Sequence, residues 1–251
     1  MAEETRVMQS LAKVERAVEI SNEIFSQCEE FIITDDKKAM MRLGSLLGDF
    51  VNNLRSALNY CARTLIINHV EAKLEPKRAK NLVRKVDFPW AKNKDAFDAI
   101  LPVKTIREAS EFLYKSFERF QPYHKGNDWL GHLMILSNRD KHEVINHISP
   151  PIASSVIAFD NREKRIRDPM FVGDKVILFH NIEPVYAKLP FYYPYYRAFA
   201  TPKHTWMLFL IPMKDKLSLD LIEYVKTTPP KVINILSFFA VAFGDNFEKI
   251  R

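Results

Sequence analysis

The chain has 251 residues, of which 37 are basic and 31 acidic, giving a formal net charge of +6 and a pI near 9.1. A hydrophobic content of 47% is ordinary for a globular protein and excludes a disordered chain. The positive charge permits a polyanionic partner without requiring one. The longest apolar run, 232–243, is shorter than the roughly 20 residues of a membrane span, so we expect no membrane association.

The amino terminus lacks the layout of a secretory signal, because acidic residues precede any apolar stretch, and we therefore expect a cytoplasmic protein. The two cysteines, Cys28 and Cys61, fall at apolar helical positions that are typical of small buried side chains. Histidine, cysteine and acidic residues do not recur at the spacings of zinc ligands, and a Gly-rich phosphate loop is missing. The sequence therefore predicts neither a metal site nor a cofactor.

Two long helices are predicted first. Apolar residues at alternating spacings of four and three, from Val7 through Val18 to Ile32, predict a helix of about 25 residues that ends at Thr34. A second helix is predicted over 38–69, with apolar side chains on one side and polar ones on the other. The apolar set is Leu46, Leu47, Phe50, Val51, Leu54, Ala57, Leu58, Cys61, Ala62 and Leu65.

Residues 71–102 are less regular, with a short helix predicted at 94–100. A third long helix is predicted after Thr105, which can form a capping box with Glu108. Proline and glycine predict a turn over 121–127. A fourth helix follows and is expected to end at Pro150.

The amino-acid composition changes after residue 151. Segments 154–159, 175–180 and 204–211 are rich in β-branched and aromatic residues and predict antiparallel strands, while 186–196 predicts an edge strand or an ordered loop. A last helix is predicted from Pro229 to Phe243. The fold class is therefore α+β, with a helical domain over 1–150 and, over 151–251, an antiparallel sheet with a closing helix packed on the bundle.

A family resemblance covers roughly the first 150 residues. Residues 42–60, RLGSLLGDFVNNLRSALNY, resemble the GDxxHNLRSALDHL helix of an uncharacterised bacterial family with an HEPN-like helical domain. The segments Phe88-Pro89, Gln121-Pro122-Tyr123 and 138–142 (NRDKH) resemble its later FP, QPY and NxDKH signatures, in the same order. The resemblance implies an HEPN-like bundle of four main helices and a homodimer as the default assembly.

In nuclease members of the HEPN group, an arginine is followed four to six residues later by a histidine, and the pair cleaves RNA. This sequence keeps the arginine as Arg55 but has Tyr60 at the histidine position, and Asn52 stands where the family commonly has histidine. A phenol with a pKa near 10 is a poor proton shuttle at neutral pH. The first hypothesis is therefore a non-catalytic or degenerate RNA-associated or regulatory module.

Two other functions stay open. One is an active, metal-independent ribonuclease of a defence or toxin system, in which His142 or His124 replaces the missing histidine beside Arg55. The other is a small-molecule sensor with a pocket between sheet and bundle, lined by Tyr192, Tyr196 and Trp206.

A polar seam is expected where the second and fourth helices pack. On a helical wheel Lys141 falls inside the apolar stripe, so it needs a partner, for which Asp49 is the first candidate. Such a seam either fixes the helix register through a buried ion pair or forms a ligand or catalytic site. The candidate catalytic residues are Arg55 and His142, and the candidate binding residues are Asp49, Asn52, Asn59, Asp140 and Lys141.

A basic stretch from Lys73 to Lys85 has two interpretations. It is either a solvated charged face or an electrostatic contact surface for phosphates.

Overall fold

The structure is a computed structural model that describes residues 2–34, 37–142, 148, 170–172, 175–180, 183–185, 209–213 and 218–244. The chain divides into two compact units, which are Met1–Ile24 with Gly44–Asn146 and Val225–Arg251, and Phe25–Leu43 with His147–Tyr224. The division into a bundle over 1–150 and a sheet with a closing helix over 151–251 stays a prediction.

The described residues are mostly helical, with short antiparallel strands and a carboxy-terminal helix, as the predicted α+β class requires. None of the described helices has both the length and the hydropathy that crossing a membrane would need. The helices are α1 Ala2–Thr34, α2 Lys37–His69, a 3-10 helix Glu71–Lys73, α3 Pro76–Lys85, α4 Lys94–Ala99, α5 Leu101–Ala109, α6 Glu111–Glu118, α7 Asp128–His142 and α8 Leu221–Phe243. The strands are β1 Met170–Val172, β2 Lys175–His180, β3 Glu183–Val185, β4 Leu210–Pro212 and β5 Ser218–Asp220.

Helix α1 ends at Thr34 as predicted, but its buried stripe only partly follows the expected one. Val18, a member of the predicted stripe, is exposed, and Leu11 is only half-buried. Ala17 and Ile20, which lie beside the predicted stripe, are buried instead. Among the described side chains of the helix, the buried ones are Ser10, Val14, Ala17, Ile20, Ser21, Ile24 and Cys28, of which Val14, Ser21 and Cys28 belong to the predicted stripe.

Helix α2 confirms the prediction for its apolar side. Nine of the ten predicted core positions are buried, and Leu46 is half-buried. The polar side chains Asn52, Arg55 and Asn59 are neither fully exposed nor buried, so this strip of α2 is partly covered by other elements.

The predicted long third helix is wrong, because two shorter helices replace it. Ser110 ends α5 and caps α6, where its hydroxyl accepts a hydrogen bond from the backbone N–H of Leu113 at 3.3 Å. Thr105 lies inside α5 rather than at its start, and its hydroxyl donates to the carbonyl of Leu101 at 3.2 Å. The predicted short helix is confirmed as α4.

The turn before α7 is confirmed, with Gly126 at φ +88° in the left-handed region that glycine adopts without strain. Asn127 stabilises the turn from its side chain, which donates to the carbonyl of Arg119 at 3.0 Å. The predicted continuation of this helix to Pro150 lies outside the described residues, apart from Ile148, which is buried.

Helix α8 begins at Leu221 rather than at Pro229, so the predicted start is wrong. Asp220 precedes the first turn, and its Oδ1 accepts a hydrogen bond from the backbone N–H of Glu223 at 3.1 Å. This carboxylate cap starts the helix eight residues early, and Pro229 and Pro230 then lie in its interior.

Phe239 of α8 lies at the centre of an aromatic cluster in the first unit. Its ring centroid is 5.1 Å from Phe117, 5.8 Å from Phe120 and 6.4 Å from Phe88. Phe88, Phe117 and Phe239 are fully buried, and such tilted and edge-on pairs stabilise a core beyond their area. The cluster joins α6 and α8 to the segment that follows α3.

The strands form two antiparallel groups, described separately from the helical unit. β1, β2 and β3 pair in that order, with Phe171 opposite Val176 and Phe179 opposite Pro184. β4 pairs with β5, with Ile211 opposite Leu219. The strand predicted at 175–180 is confirmed, whereas 154–159, 186–196 and 204–208 lie outside the described residues.

Candidate functional site

The polar strip of α2 faces α7 and the segment after α3. Gly48, Asn52, Arg55 and Asn59 are spaced by four, three and four residues, so they share one side of the helix. Each of them lies against a residue distant in sequence. The resulting contact zone of Asn52 and Arg55 with Ser137, Asn138 and Asp140 is the polar seam.

Asn52 lies at the centre of the seam. Its Nδ2 donates to Oδ2 of Asp140 at 2.6 Å, and its Oδ1 accepts from the hydroxyl of Ser137 at 2.7 Å. Ser137 is completely buried, so its hydroxyl needs this partner. The amide therefore bonds two successive turns of α7 to α2.

Arg55 lies one turn further along α2. Its Nη1 donates to Oδ1 of Asn138 and, at 3.4 Å, to the hydroxyl of Ser137, while its Nη2 pairs with Oδ2 of Asp87 at 3.2 Å. The arginine side chain is only 12% exposed, whereas that of Asp87 is 61% exposed. Three acceptors of this chain therefore hold the guanidinium against the protein.

Asn59 attaches the segment after α3 to α2. Its Nδ2 donates to Oδ1 of Asp87 at 3.0 Å, and its Oδ1 accepts from the backbone N–H of Phe88 at 2.9 Å. Asp87 thus bonds Arg55 with one oxygen and Asn59 with the other. The two contacts place the Phe88 ring in the aromatic core.

Gln121 holds the same segment from the other side. Its amide is completely buried, accepts from the N–H of Ala91 at 2.9 Å, and donates to the carbonyls of Pro89 at 2.9 Å and Phe117 at 3.0 Å. The FP and QPY segments of the sequence therefore meet in space. Their glutamine and aromatic residues are explained by packing and hydrogen bonding.

The predicted surroundings of Lys141 are wrong. Lys141 is exposed, and in the described part of the chain no ion pair joins it to Asp49, which is exposed as well. A helical wheel gives a side chain's direction and not its depth, and an unpaired ammonium is more stable in water than in a core. Asp140, the preceding residue, is the one that reaches α2.

The candidate residues are therefore only partly brought together. Asn52, Arg55, Asn59 and Asp140 belong to one connected hydrogen-bonded region, and Asp49 and Lys141 do not take part in its described contacts. The backbone of His142 ends α7, but its side chain lies outside what the structure describes. A catalytic or binding role for any of these residues stays a prediction.

Sequence reasoning missed Ser137, Asp87 and Gly48 as members of this region. Ser137 resembles an ordinary helix residue, and Asp87 belongs to a segment without a predicted element. Gly48 carried a signal, since glycine inside a predicted helix marks a close approach. In the described residues, no group of three or more histidine, cysteine or acidic side chains is placed to hold a metal ion.

Comparison with protein-family models, curated proteins and solved structures gave no match. The resemblance to the HEPN-like family therefore continues to depend on the four ordered motifs alone. The structure adds that these motifs contact one another through Asn52, Asn59 and Gln121.

Proposed function

We propose that this protein is an HEPN-like, non-catalytic or degenerate RNA-associated or regulatory module, in which α2 serves to hold α7. The observation that carries the proposal is the set of partners of Arg55. A nuclease arginine has to present its donors to a scissile phosphate, whereas here Asn138, Ser137 and Asp87 occupy both terminal nitrogens. The role that this geometry favours is attachment of α2 to α7.

Tyr60 supports the same proposal. It stands five residues after Arg55, at the position where nuclease members of the HEPN group carry a histidine that can act as acid or base. Asn52, at the other position where the family commonly has histidine, uses its amide to bond Asp140 and Ser137. At both positions the histidine of the family pattern is therefore missing.

The proposed partners are RNA and a second copy of the chain. A net charge of +6 favours association with a polyanion such as RNA. The family resemblance is the basis for proposing a homodimer of bacterial origin, and the cytoplasmic location stays a prediction from the sequence.

A ribonuclease is the second candidate, and one observation favours it. Nε2 of His124 lies 2.8 Å from Oε1 of Glu118, and the hydroxyl of Tyr123 donates to the same oxygen at 3.1 Å. A histidine oriented by a carboxylate is a common general base, and this one is 44% exposed. For the sensor hypothesis, Tyr192, Tyr196 and Trp206 all lie outside the described residues.

One experiment separates the two candidates. Purified wild-type protein is mixed with labelled RNA, and both binding by anisotropy and RNA length on a denaturing gel are measured. The proposal expects bound RNA of full length, with the same result for Arg55→Lys, for His124→Ala and for the exposed control Arg63→Lys. Cleavage by wild type that disappears in His124→Ala would establish the ribonuclease instead. If the wild-type protein neither binds nor cleaves the RNA, that result would contradict any association with RNA.

A further inference from the structure

A basic surface outside the polar seam lies on α3. Between Glu71 and Val86 the chain has six basic and two acidic residues. Three of the basic side chains, Lys77, Lys80 and Arg84, are exposed and lie within about 60° of one another around the helix axis. They extend over about 10 Å of the helix, at 1.5 Å per residue. These three residues are called the α3 basic face.

Two other basic residues of this region, Arg78 and Lys73, bond within the chain. Arg78 pairs with Glu108 at 2.5 Å and donates to the hydroxyl of Thr105 at 3.3 Å. Nζ of Lys73 donates to the carbonyl of Ala109 at 3.3 Å. These contacts attach α3 and the preceding 3-10 helix to α5.

The α3 basic face differs in having no such contacts. Within the described part of the chain, none of its three side chains forms an ion pair or a hydrogen bond. Among the cations of other helices, Arg16 pairs with Glu19 at 2.9 Å and Arg107 pairs with Glu111 at 3.2 Å. The charge of the α3 basic face is therefore available to a partner.

The opposite side of α3 is already in the protein core. Ala79, Leu82 and the following Val86 are buried. A helix that lies in a membrane interface inserts its apolar side into lipid, and α3 has used that side for packing. Among the described side chains of α3, no large apolar one is exposed beside these cations, and a row of cations alone fits a phosphodiester backbone better than a bilayer.

We propose that the α3 basic face binds the phosphate backbone of RNA through Lys77, Lys80 and Arg84. This inference depends on the proposed RNA association and names the surface responsible for it. Contacts of this kind depend on salt, since each neutralised phosphate releases counterions, and they do not select a base sequence.

The test compares two double variants that lower the net charge equally. Lys77→Glu with Lys80→Glu alters the α3 basic face, and Lys92→Glu with Lys125→Glu changes two exposed lysines elsewhere in the chain. Affinity for a fluorescein-labelled oligouridine is measured by anisotropy over a range of NaCl concentrations. The α3 variant is expected to lose about tenfold or more in affinity, and its salt slope to become shallower by about 1.4, or about 0.7 per lost contact. The control variant keeps the wild-type slope.

Three other results would contradict the proposal. Equal losses in both variants would mean that net charge alone governs binding, which overturns this surface but leaves RNA association standing. A wild-type protein that does not bind the oligouridine overturns both. Binding to vesicles of anionic phospholipid but not to the oligouridine would identify a membrane partner. Thermal melting by circular dichroism checks that both variants are folded.

Discussion

Gly48 on α2 and Asp140 on α7 approach so closely that a Cβ on the glycine would lie 2.0 Å from Oδ1 of the aspartate. The same Cβ would lie 2.5 Å from Cγ and 2.8 Å from Oδ2. The carboxylate is fixed by its hydrogen bond from Asn52, so it occupies the space that a side chain at position 48 would need. A glycine inside α2 is thus required by the neighbouring helix.

Gly48→Ala is therefore expected to lower the free energy of unfolding by about 1–3 kcal/mol, because the carboxylate has to move away from Asn52. In an Asp140→Ala background the same change is expected to be neutral or to stabilise by up to about 1 kcal/mol, since alanine is the better helix former. Urea unfolding measures both, with Ser45→Ala at an exposed position of α2 as control. Equal destabilisation in both backgrounds would show that the Asp140 contact is not the cause.

Gln121→Met tests the hydrogen bonds that hold the segment after α3. Methionine has a similar length but leaves the N–H of Ala91 and the carbonyl of Pro89 without their buried partner. We expect a loss of about 2–4 kcal/mol in unfolding free energy. The exposed Gln9→Met should change it by less than about 0.5 kcal/mol. A small loss for Gln121→Met would mean that water replaces the amide without cost.

Asp220 predicts a pH dependence of stability. Burial raises the pKa of its carboxyl to about 6, and this effect outweighs the backbone hydrogen bonds from Glu223 and Ile222, which lower the pKa. The pKa is higher in the folded state than in the unfolded state, so protonated Asp220 stabilises the folded protein. This contribution to the free energy of unfolding is fully present below about pH 4 and is lost as pH rises through about 6.

Asp220→Asn removes this titration while keeping a good helix cap. The unfolding free energy of wild type minus that of the variant is expected to fall by up to about 3 kcal/mol between about pH 4 and pH 6, and to be constant above. Chemical unfolding at a series of pH values gives this difference. A difference that rises with pH would show that folding lowers the pKa of Asp220 instead of raising it.

The helices could be predicted where a single physical signal dominates. The apolar side of α2 alternates clearly with its polar side, and nine of its ten predicted core residues are buried. The predictions failed where a short-range hydrogen bond decides the outcome. Ser110 interrupts a continuous helical pattern, and Asp220 starts α8 well before its prolines.

The candidate site shows a similar limit. The motif residues Asn52, Arg55, Asn59 and Asp140 could be selected from the sequence. The pairing of Asn52 with Asp140 could not, and neither could the partners Ser137, Asn138 and Asp87. Whether Asp140 or Lys141 reaches α2 depends on the depth and rotation of α7, which neighbouring positions on a wheel do not reveal. Asp87 contacts Arg55 across 32 residues of chain, so local sequence carries no trace of the pair.

The role of Arg55 can be measured most directly by a double-mutant cycle with Asn138 in urea unfolding. If the arginine holds α2 on α7, Arg55→Ala and Asn138→Ala will each destabilise the protein, and the double variant will lose at least about 1 kcal/mol less than the sum. If the arginine is instead reserved for a substrate, the two losses will add within about 0.5 kcal/mol, and that result would contradict the structural role proposed for it.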